Sequence, residues 1–510
     1  MTGSNFPFDM VQPWDVHNQE LVSRVRPPDW VNPQPAACYN LVVIGAGTAR
    51  LVAAAGAAAL GARVALIERQ LLGGDCLNVG CVPSKALLSA ARAAAGVRDA
   101  GRFGVQVPEG TRCDFGRVME RMRRLRAGIA PNDSVQRFKE LGVDVFIGDG
   151  RFIDDRTVVV GEARLPFKKA VITTGARAAV PPLPGLNEVP YLTNETLFTL
   201  TELPRRLAVL GVGPIGCEMA QAFARFGSEV FLIESTHGIL PKEDRDASGI
   251  VLESLQHDGV KLLCCGKELR LSKAARGGIR LRVESHGKGY DEVVDQLLVA
   301  VGRAPNVEGL DLDKAGIQFN AKGVTVNDFL QTSNRAVFAA GDICSPYQFT
   351  HAADFMARTV LRNALFWGRA KASALTIPWC TYTEPEIAHV GISESQAKQK
   401  GIEIETFTRS LAEVDRAILE DRGNGLVRVH LRKGSDTILG ATIVAANAGD
   451  LIGQISQAMT HGLGLRRLAE TIHPYPTQGE AIRQLGDLYN RTRLTPRTKK
   501  ILSTLMAWRR

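Results

Sequence analysis

The chain has 510 residues, 45% of them hydrophobic, enough for about three domains with well-formed cores. Its net charge is +9, but Arg491–Arg510 holds seven Lys or Arg and no acid; removing those seven leaves +2 on the body, which argues against a nucleic-acid-binding protein. No apolar run reaches the roughly 20 residues needed to cross a bilayer, and the start, MTGSNFPFDMVQPWDVHNQE, lacks the basic and apolar regions of a secretory signal. The expectation is a cytoplasmic protein with most of its nine thiols reduced.

Residues 1–35 are polar and marked by proline, and read as an N-terminal extension or arm. YNLVVIGAGTARLVAAAGAAALGARVALIER follows. A short apolar run, a glycine turn, an alanine-rich helix and a second apolar run predict a β-α-β unit. Such a turn aims a helix N-terminus at a pyrophosphate, and a carboxylate about 20 residues later accepts hydrogen bonds from a ribose. Gly45, Gly47 and Glu68 fill those roles, but position 50 is Arg where the third small residue belongs. A long cation there either overpacks the contact of helix and strand, at a cost of about 1–3 kcal/mol, or snorkels to the surface, or reaches toward a phosphate.

Next comes GGDCLNVGCVPSK, Gly73–Lys85. Cys76 and Cys81 would be about 7.5 Å apart along an ideal helix, beyond the roughly 4.4–6.8 Å between the Cα atoms of a disulfide. A bridge therefore needs a distorted turn, which Gly80 permits. A helix N-terminus there would lower a thiol pKa and make the pair reactive. A zinc site is the rival, and no second Cys/His pair lies nearby in the sequence. The remaining cysteines at 38, 113, 217, 344 and 380 read as buried packing.

A helical stretch around 116–138 and a β-rich stretch around 143–174 lead to a second unit, LAVLGVGPIGCEMAQAFARFGSEVFLIES. Its fingerprint is complete: Gly211, Gly213, Gly216 and Glu234. Gly45 to Glu68 spans 23 positions and so does Gly211 to Glu234. Glu234 favours the 2′-hydroxyl of NAD over the 2′-phosphate of NADP. Two dinucleotide sites beside a reactive thiol pair predict an electron route from NAD(P)H through a flavin, most simply FAD, to a Cys76–Cys81 disulfide. Cys264 and Cys265, in VKLLCCGKEL, read as part of a strand. Thr376 to about Leu488 reads as a separate α+β domain. In the tail, Ile501, Leu502, Leu505 and Met506 share one helix face. That helix either packs on its own subunit or a partner, the favoured reading, or makes weak peripheral contact with an anionic membrane.

GGDCLNVGCVPSK, ITTGARAAVPPLPG, VGRAPN, FAAGDI and YTEPEIAHVG together resemble the pyridine nucleotide–disulfide oxidoreductases, over about Tyr39–Thr495. The resemblance implies an α/β fold: two Rossmann-like three-layer domains plus an α+β dimerisation domain, in a homodimer. The expected boundaries are 36–185 and 301–372 for FAD, 186–300 for NAD(P), 373–488 for dimerisation and 489–510 for the tail. It implies that Cys81 faces the flavin and Cys76 the substrate, and that Lys85 lies near the flavin ring, paired with Glu218. Gly74, Thr174, Gly175, Gly302, Arg303, Gly341 and Asp342 join the cofactor-binding set. The family's disulfide reductases carry a catalytic His followed by Pro, Thr and Glu. Here IHPYPTQGE puts Tyr475 at that position, retains Glu480, and leaves His473 two residues early.

Tyrosine there resembles the mercuric-reductase-like members. The expected activity is thus reduction of thiol-bound Hg(II) or a similar acceptor, with Cys76 and Cys81 as transient ligands of the substrate metal. The chain departs from that pattern in ending LMAWRR, without a vicinal cysteine pair, and in having no tyrosine between Tyr39 and Tyr191. One alternative is a dihydrolipoyl dehydrogenase or glutathione-reductase-type enzyme using His473. Another is a non-catalytic dimeric binding protein with an FAD site impaired by Arg50.

Overall fold

The computed structural model describes residues 8–510. It divides into two compact units, one built from 8–211, 219–236 and 260–375, the other from 212–218, 237–259 and 376–510.

The first unit opens with helix α1 (Val16–Val25), capped by Asp15 and burying Leu21, Val22 and Val25. The expected N-terminal arm is therefore largely a docked element, because α1 carries its own apolar face; residues 1–7 lie outside the described residues. Strand β1 (Tyr39–Ile44), helix α2 (Thr48–Ala59) and strand β2 (Val64–Glu68) form the first β-α-β unit. Leu41, Val42 and Val43 are fully buried, as expected of a parallel strand covered on both faces. The Arg50 side chain, expected to crowd this unit, lies outside the described residues.

Helix α3 (Gly74–Asn78) is a single turn, followed by α4 (Cys81–Arg98) and α5 (Phe115–Ile129). Strands β3 (Val143–Ile147), β4 (Ala163–Ile172) and, later in the chain, Val337–Ala339 complete a parallel sheet. Its order is β3-β2-β1-β4 and then Val337–Ala339.

The second β-α-β unit is β5 (Arg206–Leu210), α6 (Pro214–Phe226) and β6 (Glu229–Ile233). Strand β7 (Lys261–Leu263) is short. The chain then forms an antiparallel sheet of β8 (Lys267–Lys273), β9 (Ile279–Ser285) and β10 (Lys288–Val294). With β11 (Gln296–Val299), the parallel order is β7-β6-β5-β11. The Val337–Ala339 strand is β12, and helix α7 (Thr350–Leu365) follows it.

The strand expected to hold Cys264 and Cys265 ends at Leu263. Both cysteines lie in the turn beyond it, where Cys265 takes a left-handed φ of 56° that a strand cannot contain.

The second unit is organised on an antiparallel sheet of β13 (Pro378–Thr381), β14 (Glu386–Gly391), β15 (Ile404–Ser410), β16 (Leu426–Arg432) and β17 (Ile438–Ala445). Its order is β13-β14-β17-β16-β15. Helices α8 (Ala448–Thr460) and α9 (Glu480–Thr492) bury Ile452, Ile455, Ile482 and Leu485 in its core. The last helix, α10 (Pro496–Trp508), buries no residue. The favoured packing of the tail on its own subunit is thus not found.

Candidate active site

The redox motif folds as two helices meeting at a tight joint. Cys76 sits in α3, and Cys81 is the first residue of α4, with Gly80 as its N-cap. A Cβ on Gly80 would stand 2.7 Å from the Asp75 carbonyl oxygen and 3.5 Å from Cys76 Cα. Only glycine lets the chain double back closely enough to bring the two thiols together, so the expected distorted turn is present. Cys76 is half-buried and Cys81 exposed.

Position sets the electrostatics around the pair. Cys81 Sγ lies at the N-terminus of the 18-residue α4 and 3.3 Å from Thr350 Oγ1, the first residue of the 16-residue α7. Two helix N-termini therefore converge on one sulfur, and both favour negative charge there. The Cys76 thiol is pushed well above its ordinary value, first by its hydrogen bond with Cys81, then by burial and by the charge on Cys81; the Thr350 hydroxyl pulls modestly the other way. These effects disfavour ionisation of Cys76.

Three residues, Arg303, Arg126 and Leu72, hold this joint in place. The Arg303 guanidinium pairs with Asp75 and lies 3.3 Å from Asp342, and it also donates to the Ala176 carbonyl at 2.6 Å. It bridges the residue before Cys76 to the residue after Gly341. Burial raises the Asp342 carboxyl pKa, and the Arg303 charge opposes that shift. Beneath the joint, the fully buried Arg126 of α5 donates to the Asn78 carbonyl and to Asn18 Oδ1, each at 2.6 Å. Leu72 N–H closes the other side onto the Val25 carbonyl at 3.2 Å.

The cofactor candidates gather at the carboxyl ends of parallel strands, where ligands of open α/β sheets bind. Gly45 follows β1 with φ 106°, Glu68 ends β2, Thr174 and Gly175 follow β4, and Gly341 and Asp342 follow β12. Glu68 is buried, and its carboxylate accepts from Ala46 N–H at 2.5 Å and Gln70 N–H at 2.7 Å. Gly47 caps α2 with no side-chain hydrogen bond, so its first-turn N–H groups suit a pyrophosphate. Thr174 and Asn306 exchange hydrogen bonds of 2.8 and 2.9 Å, fixing Gly175 beside the chain that carries Gly302 and Arg303.

Gly211 follows β5 with φ 106°, and a Cβ there would meet the Ala300 carbonyl oxygen at 2.5 Å. A Cβ on Gly213 would meet nothing within 4 Å, leaving room for a ligand's close approach. Gly216 lies in α6 and Glu234 directly follows β6. The residues present fit two dinucleotides. When bound, FAD and NAD(P)H supply the hydride and electron-pair chemistry that side chains lack.

Lys85 is half-buried in α4. Glu218, in α6, is buried and accepts from Tyr382 N–H at 2.9 Å. Tyr475 is 70% exposed, and its hydroxyl donates to Asp415 Oδ2 at 2.8 Å, which raises its pKa. Glu480 pairs with Arg483 at 3.0 Å. His473 is engaged at both ring nitrogens, by the Thr471 carbonyl and Gln454 Oε1, each at 3.0 Å.

Asp75, Thr350 and Arg126 were missed by sequence reasoning. Asp75 lies inside the redox motif and Thr350 beside His351 in FTHAAD, yet neither has a spacing that signals its role. Of the five cysteines read as buried packing, only Cys217 is buried; the other four are half-buried.

The family model for pyridine nucleotide-disulphide oxidoreductases matches residues 39–357, and the model for that family's dimerisation domain matches 377–485. The mercuric reductase of Staphylococcus aureus is 36% identical over 448 residues, covering 87% of this chain and 81% of that protein. The dihydrolipoyl dehydrogenase of Bacillus subtilis is 32% identical over 465 residues, covering 88% and 96%. A solved Cu(II) complex of the HOCl-induced flavoprotein disulfide reductase RclA from Escherichia coli superposes with a TM-score of 0.77 at 29% identity, covering 89% of this chain and all of that one. The dimerisation match supports a homodimer. With its paired thiols, its two dinucleotide folds and these relatives, the chain belongs to the pyridine nucleotide-disulphide oxidoreductases and is an FAD-dependent oxidoreductase.

Proposed function

We propose that the enzyme uses NAD(P)H, with NADH favoured, to reduce a thiol-bound soft metal ion, Hg(II) or a close chemical analogue. The observation that carries this reading is the Cys76–Cys81 dithiol itself, one sulfur exposed at a helix N-terminus, the other half-buried with its pKa raised. Paired sulfurs bind a thiophilic cation directly and need no general base. Tyr475 suits that chemistry, since a phenol whose pKa is raised by Asp415 is a poor base at neutral pH but a good hydrogen-bond donor. We assign Cys81 to the flavin side, Cys76 to the substrate, and Lys85 with Glu218 to the flavin ring. Glu234 stands at the end of its strand as an acceptor for a ribose 2′-hydroxyl. A cytoplasmic setting agrees with nine cysteines, an odd number scattered without regular spacing.

The test compares NADH and NADPH oxidation by the purified, FAD-loaded protein with mercuric ion in excess thiol, Cu(II), glutathione disulfide and lipoamide. Turnover should be stimulated most by the mercuric thiolate and abolished by Cys81→Ala. The likeness to a dihydrolipoyl dehydrogenase supports the rival reading, in which lipoamide is the fast substrate and His473→Ala removes that activity. Purified protein with no flavin absorbance, restored by Arg50→Gly, would instead support a non-catalytic binding role.

A further inference from the structure

Away from the redox pair, the first unit holds a second group of soft ligands. Beyond β7 the chain turns through Cys264, Cys265 and Gly266, and the β9–β10 hairpin brings His286 against that turn. Cys264 Sγ is 3.2 Å from His286 Nε2, and the two sulfurs and a ring nitrogen of His286 all lie within 4.8 Å of one another. In a tetrahedral zinc site, with bonds of about 2.3 Å to sulfur and 2.0–2.1 Å to nitrogen, neighbouring ligand atoms stand about 3.5–3.8 Å apart. Closure on a cation therefore needs only small side-chain adjustments.

The backbone around these ligands is fixed. Ser285 Oγ donates to the Cys264 carbonyl at 2.6 Å, Cys265 N–H to the Thr236 carbonyl at 3.1 Å, and Gly266 N–H to the Glu234 carbonyl at 2.8 Å. A Cβ on Gly266 would stand 3.0 Å from that Glu234 oxygen, so the turn tolerates little else there. Cys265 and His286 both take left-handed φ, at 56° and 52°. Neither is Gly, Asn or Asp, and such backbone is held only where the surroundings over-determine it. Cys264 is buried while His286 is exposed, so one ligand is sheltered and the approach is open.

We propose that Cys264, Cys265 and His286 form a binding site for one thiophilic divalent cation of the zinc class, separate from Cys76 and Cys81. Binding converts two thiols to thiolates, forms two metal–sulfur bonds and one metal–nitrogen bond, releases two protons, and changes no oxidation state. The inference stands whether or not the substrate of the redox pair is a metal.

The test uses the full-length, cofactor-loaded protein with Cys76 and Cys81 both changed to Ser, reduced and stripped of metal, then titrated with Co(II) and back-titrated with Zn(II). The expected result is one Co(II) per chain, with a thiolate-to-cobalt absorption band and tetrahedral visible bands that Zn(II) removes. Adding Cys264→Ser and Cys265→Ser should abolish the band with far-UV circular dichroism unchanged. His286→Ala should weaken Co(II) binding at least tenfold. That substitution lies on an exposed hairpin turn and carries the same decision if the double serine variant fails to fold. Absence of a thiolate–cobalt band in the Cys76/Cys81 variant, or a band untouched by His286→Ala, would overturn the proposal. So would recovery of Cys264 and Cys265 as a vicinal disulfide that binds no metal once reduced.

Discussion

Thr350→Val tests what the Thr350 hydroxyl does for ionisation of Cys81. Valine keeps the shape of threonine and removes one hydroxyl, which sits 3.3 Å from Cys81 Sγ. A hydrogen bond to a charged group contributes about 1.5–3 kcal/mol to stability. Cys81 is exposed, and water will replace part of what is lost, so the lower end applies. About 1.4 kcal/mol is one pH unit. The α4 and α7 N-termini remain, so the variant should still ionise Cys81 before Cys76, only later. The assay is the pH dependence of iodoacetamide alkylation of the reduced protein, read at Cys81 by peptide mass mapping. The midpoint should rise by about one unit in Thr350→Val and stay near wild type in Thr350→Ser. An unmoved midpoint in Thr350→Val would show that the hydroxyl does not stabilise the thiolate, and the converging-helix account of the site would have to stand without it.

Gly80→Ala drives a methyl group to 2.7 Å from the Asp75 carbonyl, so about 1–3 kcal/mol of overpacking must push the Cys76 turn away from Cys81. Turnover should fall tenfold or more with the flavin spectrum retained, as steady-state kinetics on the loaded enzyme will show. Arg126→Met leaves the Asn78 carbonyl and Asn18 Oδ1 without this donor, at about 1–3 kcal/mol each. Part of that is offset because burial already lowers the Arg126 pKa to about 10. Limited proteolysis should then cut within Val16–Val25 far faster than in wild type.

In the second unit, burial raises the Glu243 carboxyl to about 7, although Trp379 Nε1–H donates to it at 2.6 Å. A raised carboxyl contributes stability that is fully present below about 4.5 and lost as pH rises through 7, a change of about 3 kcal/mol. Buried His389, lowered to about 4, works in the opposite sense over the same window. The informative quantity is therefore the melting-temperature difference between Glu243→Gln and wild type, which should grow in favour of Gln from pH 4.5 to 8.

Features whose physics is local in sequence were readable without a structure. A glycine turn after an apolar run, an acid at the end of the next strand, and two cysteines around Gly80 each state a backbone constraint within a few residues. The two dinucleotide folds and the bent redox turn follow from them. What was unreadable comes from distant chain. Thr350 reaches Cys81 across 269 positions and Arg126 reaches Asn78 across 48, and neither residue type signals such a partner. Cys264 and Cys265 were misplaced for a related reason. VKLLCC continues a strand in hydrophobicity, and only the left-handed backbone at Cys265 shows that it has ended.

The residues that recognise this family begin at Tyr39, yet the machinery does not. Because α1 shares Arg126 with the floor of the thiol turn, a recombinant chain trimmed to the recognised boundary would keep every motif and lose a brace beneath its reactive sulfurs. Cloning limits for such enzymes are better drawn from buried polar partners than from the edges of sequence similarity.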